Sequence, residues 1–520
     1  MQRGVNKVVA RPADIPYGVP PQHQLTDCTV DERLLLGKKG RMRRDTLTYA
    51  GAIAVDRLLG LILLPILTRL LSRDDYGAWS QTGVTAGLLI TVVLYAFPTV
   101  IVRHHAADTG PNARRRAFDR IGLLCVCFSL LWTLAVLSAS SAVAHLIYGD
   151  KSYLALVPAL LVWMFAEAAI EFAIAWWRVL GRIDVIAGVL VLRSTCRVSL
   201  AILMANFSGL PLSGWLLFYS LALAVLATCV LLASRRAVRY GINRECLHVP
   251  PPLRSQILEA TPLVALSILS ALSGNIDRYL LVAWLSLDTV AVYAAAASLA
   301  AVPFMIHSVL GFTLFPAMSR QWALGQRAKA TQLMNQSLLV YCFLSVPIAL
   351  AVAGFGPWVL PWIATIDYQV EPVVFIGLSV SVLALGVQQI LVYGLLLDGR
   401  GRQMLLLATL AVGLNLALAL LLVPELGMRG AALAAALANL GLVTMTTRAV
   451  SAILDWRFPW RQTTRIATHT FLCALPVLGL AALDLWAFSS VLTMLLMVGP
   501  TYLALDWWAK DSLLRRLIST

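Results

Sequence analysis

Charged residues are scarce in this chain, since Asp, Glu, Lys and Arg together make up only 13% of its 520 residues. Soluble domains carry about 25% charged residues, so this composition excludes an ordinary soluble protein. Polar stretches long enough to form an inserted soluble domain are also lacking. The chain is instead 59% hydrophobic. Apolar runs of about 20 residues, the length that crosses a bilayer as a helix, recur along nearly all of it.

The sequence also lacks cysteines in its predicted outer loops and lacks nucleotide-binding motifs. None of the 8 Cys residues lies in a predicted outer loop, so no disulfide framework is expected. The sequence contains no P-loop, dinucleotide fingerprint, Cys-x-x-Cys pair or Cys/His metal spacing. We therefore expect no cofactor, no bound metal and no catalytic residues.

The apolar runs predict an all-α integral membrane protein with about fourteen transmembrane helices, called spans 1 to 14 here. The short alternating strands of a membrane barrel are not part of the pattern. Backbone groups in lipid must bond internally, which leaves a helical bundle. The predicted spans are 46–69, 77–100, 121–147, 154–177, 184–205, 212–233, 258–283, 290–316, 333–354, 372–396, 403–423, 429–447, 466–484 and 486–506.

Lys and Arg are unevenly distributed among the predicted loops. With fourteen spans and a cytoplasmic N-terminus, the cytoplasmic segments carry 33 of the 41 Lys and Arg residues, while the opposite loops and the membrane carry four each. This bias follows the positive-inside rule and predicts that both termini are cytoplasmic. Topology and contact with membrane lipids thus explain the net charge of +15, and no nucleic-acid partner is expected.

Residues 1–44 differ from the rest of the chain. They combine a Pro-rich polar stretch with the basic cluster KKGRMRR and predict a disordered basic cytoplasmic tail. A start codon placed too early, with Met42 as the true first residue, is the alternative. The remainder divides into an N-terminal six-helix half (45–240), a C-terminal six-helix half (255–450) and a final segment (451–520) with spans 13 and 14 and a cytoplasmic tail.

Weak internal repetition supports this division into halves. Asp56-Arg57 in span 1 and Asp277-Arg278 in span 7 are 221 residues apart, and Gly181-Arg182 and Gly399-Arg400 are 218 apart. A nearly constant offset indicates two pseudo-repeats, spans 1–6 and 7–12, followed by two C-terminal helices. Such repeats are typical of transporters with a central site between the halves.

The two Asp-Arg pairs are the first candidate site residues. Charges are costly in a bilayer and normally face a bundle interior. Adjacent helical residues point about 100° apart, so Asp56 and Arg57, like Asp277 and Arg278, must find other partners or water. They either fasten spans 1 and 7 to neighbouring helices or line a cavity, and Arg278 could also reach the outer interface.

Spans 4 and 5 carry a second set of charges at similar depth. Glu167 and Glu171 lie four residues apart on span 4, as do Arg193 and Arg197 on span 5, so each pair shares one helix face. The pattern predicts either a buried ladder of ion pairs or, if an Arg has spare donors, a cationic cavity suited to phosphate. Six further polar residues are expected to form helix–helix hydrogen bonds rather than bind ligand: Asn275, His307, Gln388, Gln389, Asn415 and Asn439.

Two sequence runs resemble signatures of the polysaccharide transporters. LNLALALLLVPELGMRGAALAAALANLG, residues 414–441, resembles their span 11–12 signature, and LPILTRLLSRDDYGAWSQ, residues 64–81, their span 1–2 signature. Asp277-Arg278 followed by Tyr293 resembles the span 7 pattern. The likeness covers about residues 44–505 and points to the O-antigen and exopolysaccharide flippases of the multidrug/oligosaccharidyl-lipid/polysaccharide exporter superfamily.

This resemblance implies a flippase of the bacterial inner membrane rather than an enzyme. Its cargo would be an undecaprenyl-pyrophosphate-linked oligosaccharide, moved to the periplasmic leaflet by alternating access. Glycosyltransferases and a polysaccharide polymerase would be partners. Arg57, Arg193, Arg197 and Arg278 would correspond to the family's cationic cavity. Asp56, Glu167, Glu171 and Asp277 are candidates for ion coupling or ion pairing.

Three alternatives belong to other classes. A lipid II flippase would also use fourteen helices and Arg residues. A cation-coupled multidrug exporter of the same superfamily would have twelve helices and an apolar pocket. A membrane polysaccharide polymerase is opposed by the short outer loops.

Overall fold

The computed structural model describes residues 32–105, 111–204, 209–239, 252–454 and 456–482. These residues form helices and turns, with no strand among them. Ten of the helices are long and apolar enough to cross a membrane, and two bent pairs raise the number to twelve if each pair is one span. The chain is therefore an all-helical multi-pass membrane protein, as predicted.

The helices correspond in order to predicted spans 1–13. Span 14 lies outside the described residues. The N-terminal half contains α1 (Glu32–Leu70), α2 (Arg73–Val93), α3 (Phe97–His105), α4 (Pro111–Ser138), α5 (Ser140–Tyr148), α6 (Val157–Val179), α7 (Ile183–Met204) and α8 (Leu212–Arg239). The C-terminal half contains α9 (Leu253–Ser273), α10 (Ile276–Trp284), α11 (Leu287–Ala300), α12 (Phe304–Ala323), α13 (Arg327–Ile363), α14 (Pro372–Leu397), α15 (Gly401–Leu426) and α16 (Met428–Leu454), and α17 (Trp460–Ala482) follows as span 13.

Span 1 begins earlier than predicted. Residues 32–44, assigned to the disordered tail, form the first turns of α1, which starts at Glu32. The tail prediction rested on a Pro-rich polar stretch and on the basic cluster KKGRMRR, but no proline occurs between Pro21 and Pro65. The intervening Leu, Lys, Arg and Met residues favour helix. Residues 1–31 lie outside the described part of the chain.

Four spans are interrupted. Span 3 is divided into α4 and α5 at Ala139. Span 2 bends by 45° between α2 and α3, and span 8 bends by 51° between α11 and α12. Span 7 is divided into α9 and α10 at Gly274-Asn275. At the span 2 bend Tyr95 and Ala96 adopt positive φ of 47° and 53°, a conformation that L-residues with a Cβ seldom adopt. Breaks of this kind occur at membrane depth where the backbone is buried in protein or lines a cavity.

The two halves repeat the same packing. Span 1 packs against span 5 and span 4 against span 6, while span 7 packs against span 11 and span 10 against span 12. The turns before spans 5 and 11 also match. Gly181 and Gly399 have φ of 65° and 71°, and the following Arg182 and Arg400 donate their backbone N–H groups to Trp177 and Leu395. This is the same helix C-cap motif in both halves.

Gly430 permits a close approach of spans 11 and 12. A Cβ at this position would lie 2.1 Å from the backbone oxygen of Leu422, whereas one at Gly413 would meet nothing within 4 Å. We expect Gly430→Ala to destabilise the protein by roughly 1–3 kcal/mol, as overpacking does. The matched control Gly413→Ala should be neutral or stabilising, because Ala favours helix. Size-exclusion chromatography after heating measures the folded fraction. Equal losses in both variants would contradict this account.

Candidate functional site

Two neighbouring cavities lie between the halves. The first, of about 350 Å³, is lined by spans 1 and 5 of the N-terminal half and spans 7 and 8 of the C-terminal half. The second, of about 450 Å³, is lined by spans 1, 4, 5, 8 and 10. Asp56 and Arg57 contribute to both linings. Together the two spaces form what we call the central cavity.

All four candidate Arg residues line the central cavity. Arg197 and Arg278 line its first part, Arg193 its second, and Arg57 both. Arg57 is exposed and makes no hydrogen bond or ion pair to any residue in the described part of the chain. It is therefore a cavity cation that no carboxylate neutralises within that part.

The charges of spans 4 and 5 form a ladder. Arg193 Nη1 lies 3.2 Å from both Glu167 Oε2 and Glu171 Oε1, and Arg197 pairs with Glu167. The Glu167 side chain is only 7% exposed. The Nε atoms of both Arg residues are buried, with no hydrogen-bond partner among the described residues. The predicted ion-pair ladder is thus present, and its Arg residues also face the cavity.

Asp56 joins span 1 to this ladder. Its carboxylate accepts a hydrogen bond from the Ser194 hydroxyl and lies 3.7 Å from Arg193 Nη2. The three carboxylates Asp56, Glu167 and Glu171 therefore exceed Arg193 and Arg197 by one negative charge. Arg57 and Arg278 bring two further positive charges to the cavity, so the balance of these residues is positive.

The Asp-Arg pair of span 7 is arranged differently. Asp277 lies in the first turn of α10, is buried, and accepts hydrogen bonds from Tyr293 Oη and the backbone N–H of Arg278. It contributes no atom to either described part of the central cavity. Arg278 does line the cavity, and its Nη1 donates to Ser80 Oγ of the other half at 3.3 Å. Asp56 thus lines the central cavity whereas Asp277 does not, although the neighbouring Arg57 and Arg278 both line it.

The halves touch at the distal face, the side of the bundle with residues 70–73, 285–288 and 364–371. Arg73 Nη2 lies 2.8 Å from Asp288 Oδ2, and Arg73 Nη1 donates to the Asp367 carbonyl at 2.8 Å. Arg69 donates to the Ala364 carbonyl at 3.2 Å. Behind them Gly77 lies so close to Leu287 that a Cβ would be 2.3 Å from its carbonyl oxygen. These contacts close the distal end between spans 2 and 8.

A second ionic contact joins the halves at the proximal face, where span 2 ends and span 7 begins. His104 Nε2 lies 2.7 Å from Glu259 Oε2, and Arg103 pairs with the same carboxylate. Nearby, the hydroxyls of Tyr95 and Thr261 are 3.0 Å apart. Span 2 is therefore fastened to the C-terminal half at both of its ends.

We expect Arg73→Glu to separate the halves at the distal face, because it places like charges beside Asp288. Spin labels attached through Leu70→Cys and Ile366→Cys, in a protein without its native cysteines, measure the distance between the halves in nanodiscs. This distance should be longer and more broadly distributed in Arg73→Glu. The exchange Arg73→Glu with Asp288→Arg should restore the distance. Lys151→Glu, which reverses another distal-face cation, is the matched control. An unchanged distance in Arg73→Glu would show that the ion pair does not hold this face closed.

The six polar residues predicted to form helix–helix hydrogen bonds do so only in part. Asn439 donates to Ser381 and Asn415 to the Ser273 carbonyl, which are interhelical bonds as predicted. Asn275 instead bonds within its own span. His307, Gln388 and Gln389 form no side-chain hydrogen bond in the described part of the chain. His307 lines the central cavity beside Tyr393, a cavity position that the sequence pattern did not reveal.

A sequence profile described as "Polysaccharide biosynthesis protein" matches residues 42–322, which is more than half of the chain. The chain belongs to this family. No curated protein sequence matches it significantly.

Solved structures share the fold of this polysaccharide biosynthesis protein. Lipid II flippase MurJ in an inward-closed conformation superposes with a TM-score of 0.69 at 12% identity, over 88% of this chain and 97% of MurJ. A point mutant of the Vibrio cholerae MATE transporter VcmN gives 0.53 at 16% identity, over 79% and 98%. A MOP superfamily transporter from Pyrococcus furiosus gives 0.54 at 16% identity, over 79% and 95%. These neighbours are a flippase and transporters, and the chain shares their fold.

Proposed function

We propose that this protein is a flippase for an undecaprenyl-pyrophosphate-linked oligosaccharide, an O-antigen or exopolysaccharide repeat unit. It moves this cargo from the cytoplasmic to the periplasmic leaflet of the bacterial inner membrane by alternating access. The observation that carries the proposal is that Arg57 and Arg278, from opposite halves, line one cavity in which Arg57 has no partner among the described residues.

An uncompensated cation inside a membrane protein is costly and normally marks a pathway or a ligand site. A diphosphate offers the charge and the several acceptor oxygens that guanidinium groups bind well. Because Arg57 and Arg278 belong to different halves, a diphosphate bound by both would draw the halves together. Arg193 and Arg197 add donors from the N-terminal half, although Glu167 already engages both.

Among the carboxylates, we assign ion coupling to Asp56. It lines both parts of the cavity and lies within reach of Arg193, so a change in its charge would be felt by the ladder. Glu171 also lines the cavity. Glu167 is enclosed by its two Arg partners, and we assign it ion pairing. Asp277 accepts from neutral donors, Tyr293 Oη and a backbone N–H, so we assign it a role in holding span 7 against span 8.

Orientation and partners complete the proposal. The excess of Lys and Arg in one set of loops favours cytoplasmic termini. The distal face is then periplasmic. Glycosyltransferases would supply the cargo from the cytoplasm and a polymerase would consume it outside, with membrane lipids around the bundle.

A lipid II flippase is the second candidate, and the structural similarity to MurJ favours it. A multidrug exporter is disfavoured, since the uncompensated Arg charges would repel cationic drugs. Deleting the gene decides between the first two. Lipid-linked oligosaccharide retained in the cytoplasmic leaflet, with loss of surface glycan, supports the first proposal. Retained lipid II with arrested cell-wall synthesis supports the second. If the deletion strain keeps both its surface glycan and its cell-wall synthesis, both proposals are overturned.

A further inference from the structure

A third cavity, of about 500 Å³, lies within the C-terminal half between spans 7, 8, 10, 11 and 12. We call it the C-half cavity. Its volume is in the range of small-ligand sites. No charged residue contributes to its lining, in contrast to the central cavity. Phe304 lines both spaces, so the two cavities are neighbours across one aromatic ring.

The polar wall of the C-half cavity comes mainly from two helices. Ser267, Ser270 and Ser273 follow one another at three-residue intervals in span 7, so they lie on adjacent turns of one helix face. Gln388 and Gln389 line the same space from span 10, and buried Asn439 adds an amide from span 12. The wall thus consists of hydroxyls and carboxamides.

These groups have unused hydrogen-bonding capacity. Ser and Thr in membrane helices commonly bond back to the carbonyl four residues earlier, as Thr82 and Ser220 do here. Within the described part of the chain, the hydroxyls of the three cavity serines make no such bond. The Oε1 atom of Gln388 is buried and lacks a partner among the same residues. Leaving a buried polar atom such as Gln388 Oε1 unpaired is costly, and the exposed hydroxyls of Ser267 and Ser270 are available to a ligand. Both features point to an occupant rich in donors and acceptors.

We infer that the C-half cavity binds the uncharged saccharide part of the cargo, next to the Arg residues that take its diphosphate. This inference rests on the proposed function. A sugar carries hydroxyl groups that both donate and accept, and neutral hydroxyl and amide side chains match them without attracting the diphosphate. The charged wall of the central cavity therefore binds the diphosphate, and the neutral wall of the C-half cavity binds the saccharide of the same ligand. Phe304 lies at the boundary between them.

The test compares two lipids on full-length protein in nanodiscs. One probe is the lipid-linked oligosaccharide extracted from the deletion strain, and the other is undecaprenyl pyrophosphate without glycan. We expect Gln388→Leu with Gln389→Leu to weaken binding of the glycosylated lipid by about tenfold or more and to leave binding of the bare lipid unchanged.

Three further variants accompany this test. Ser270→Ala with Ser273→Ala, a gentler change, should act in the same direction as the Gln variant. Arg57→Ala should weaken binding of both lipids, because it removes a contact to the shared diphosphate. Gln332→Leu, on an exposed surface, should weaken neither.

Three outcomes would overturn the inference. Equal weakening of both lipids by the Gln variant would assign these residues a structural role. Unchanged binding of the glycosylated lipid in both the Gln and the Ser variants would show that the cavity holds only water. If wild-type protein binds the two lipids with equal affinity, the glycan has no site, while the flippase proposal stands. If wild-type protein binds neither lipid, the proposed function itself fails.

Discussion

Arg57→Ala is expected to reduce delivery of the lipid-linked oligosaccharide by at least about tenfold at an unchanged level of folded protein. Hydrogen bonds to a charged group contribute about 1.5–3 kcal/mol each, which corresponds to factors of about ten or more. Arg57 is exposed and makes no hydrogen bond or ion pair within the described residues, so its removal leaves no partner unsatisfied there. Complementation of the deletion strain, scored by surface glycan and retained precursor, measures the effect.

Two variants sharpen this experiment. Arg57→Lys keeps the charge but loses the planar fork, so it should restore only part of the activity. Arg254→Ala removes an exposed Arg far along the chain and should behave as wild type. Wild-type delivery in Arg57→Ala would remove the observation on which the function rests. A fall in protein level instead would make Arg57 a structural residue.

Sequence periodicity was sufficient to predict the spans but not their interruptions. Apolar runs continue through the breaks, because the hydrophobic requirement of the bilayer acts on side chains and not on backbone geometry. Gly274 and Pro303 were visible signals of two breaks. At the span 2 break Pro98, in the first turn of α3, was a signal as well. The positive φ of Tyr95 and Ala96 had none, since it is imposed by the surrounding packing.

The charged site residues were predictable because a charge inside an apolar run is conspicuous. Their partners were not, since these depend on contacts between distant segments. The sequence placed Asp56 and Asp277 in equivalent positions, but the structure gives the first a cavity position and the second a buried bond to Tyr293. Serine and glutamine are not conspicuous in a membrane helix, so the C-half cavity could not be anticipated.

The largest effect on stability is expected for Glu167→Gln, at about 3–5 kcal/mol, the usual cost of leaving a buried charge without its partner. Glu167 contacts both Arg193 and Arg197, and its side chain is 7% exposed. The substitution retains the shape of the side chain but removes the carboxylate paired with Arg197 and one of the three that lie near Arg193. Thermal unfolding in detergent, together with the amount of protein in the membrane, measures the loss.

Glu171→Gln is the matched control, because Glu171 is 39% exposed and shares only Arg193 with the ladder. We expect its loss of stability to be small, in line with partly exposed ion pairs. Removing Arg197 as well, in Glu167→Gln with Arg197→Gln, should recover part of the stability, since one uncompensated charge disappears. Should Glu167→Gln fold as wild type yet fail to transport, the ladder would be dispensable for folding. Glu167 would then belong with Asp56 among the carboxylates that couple ions to movement of the cargo.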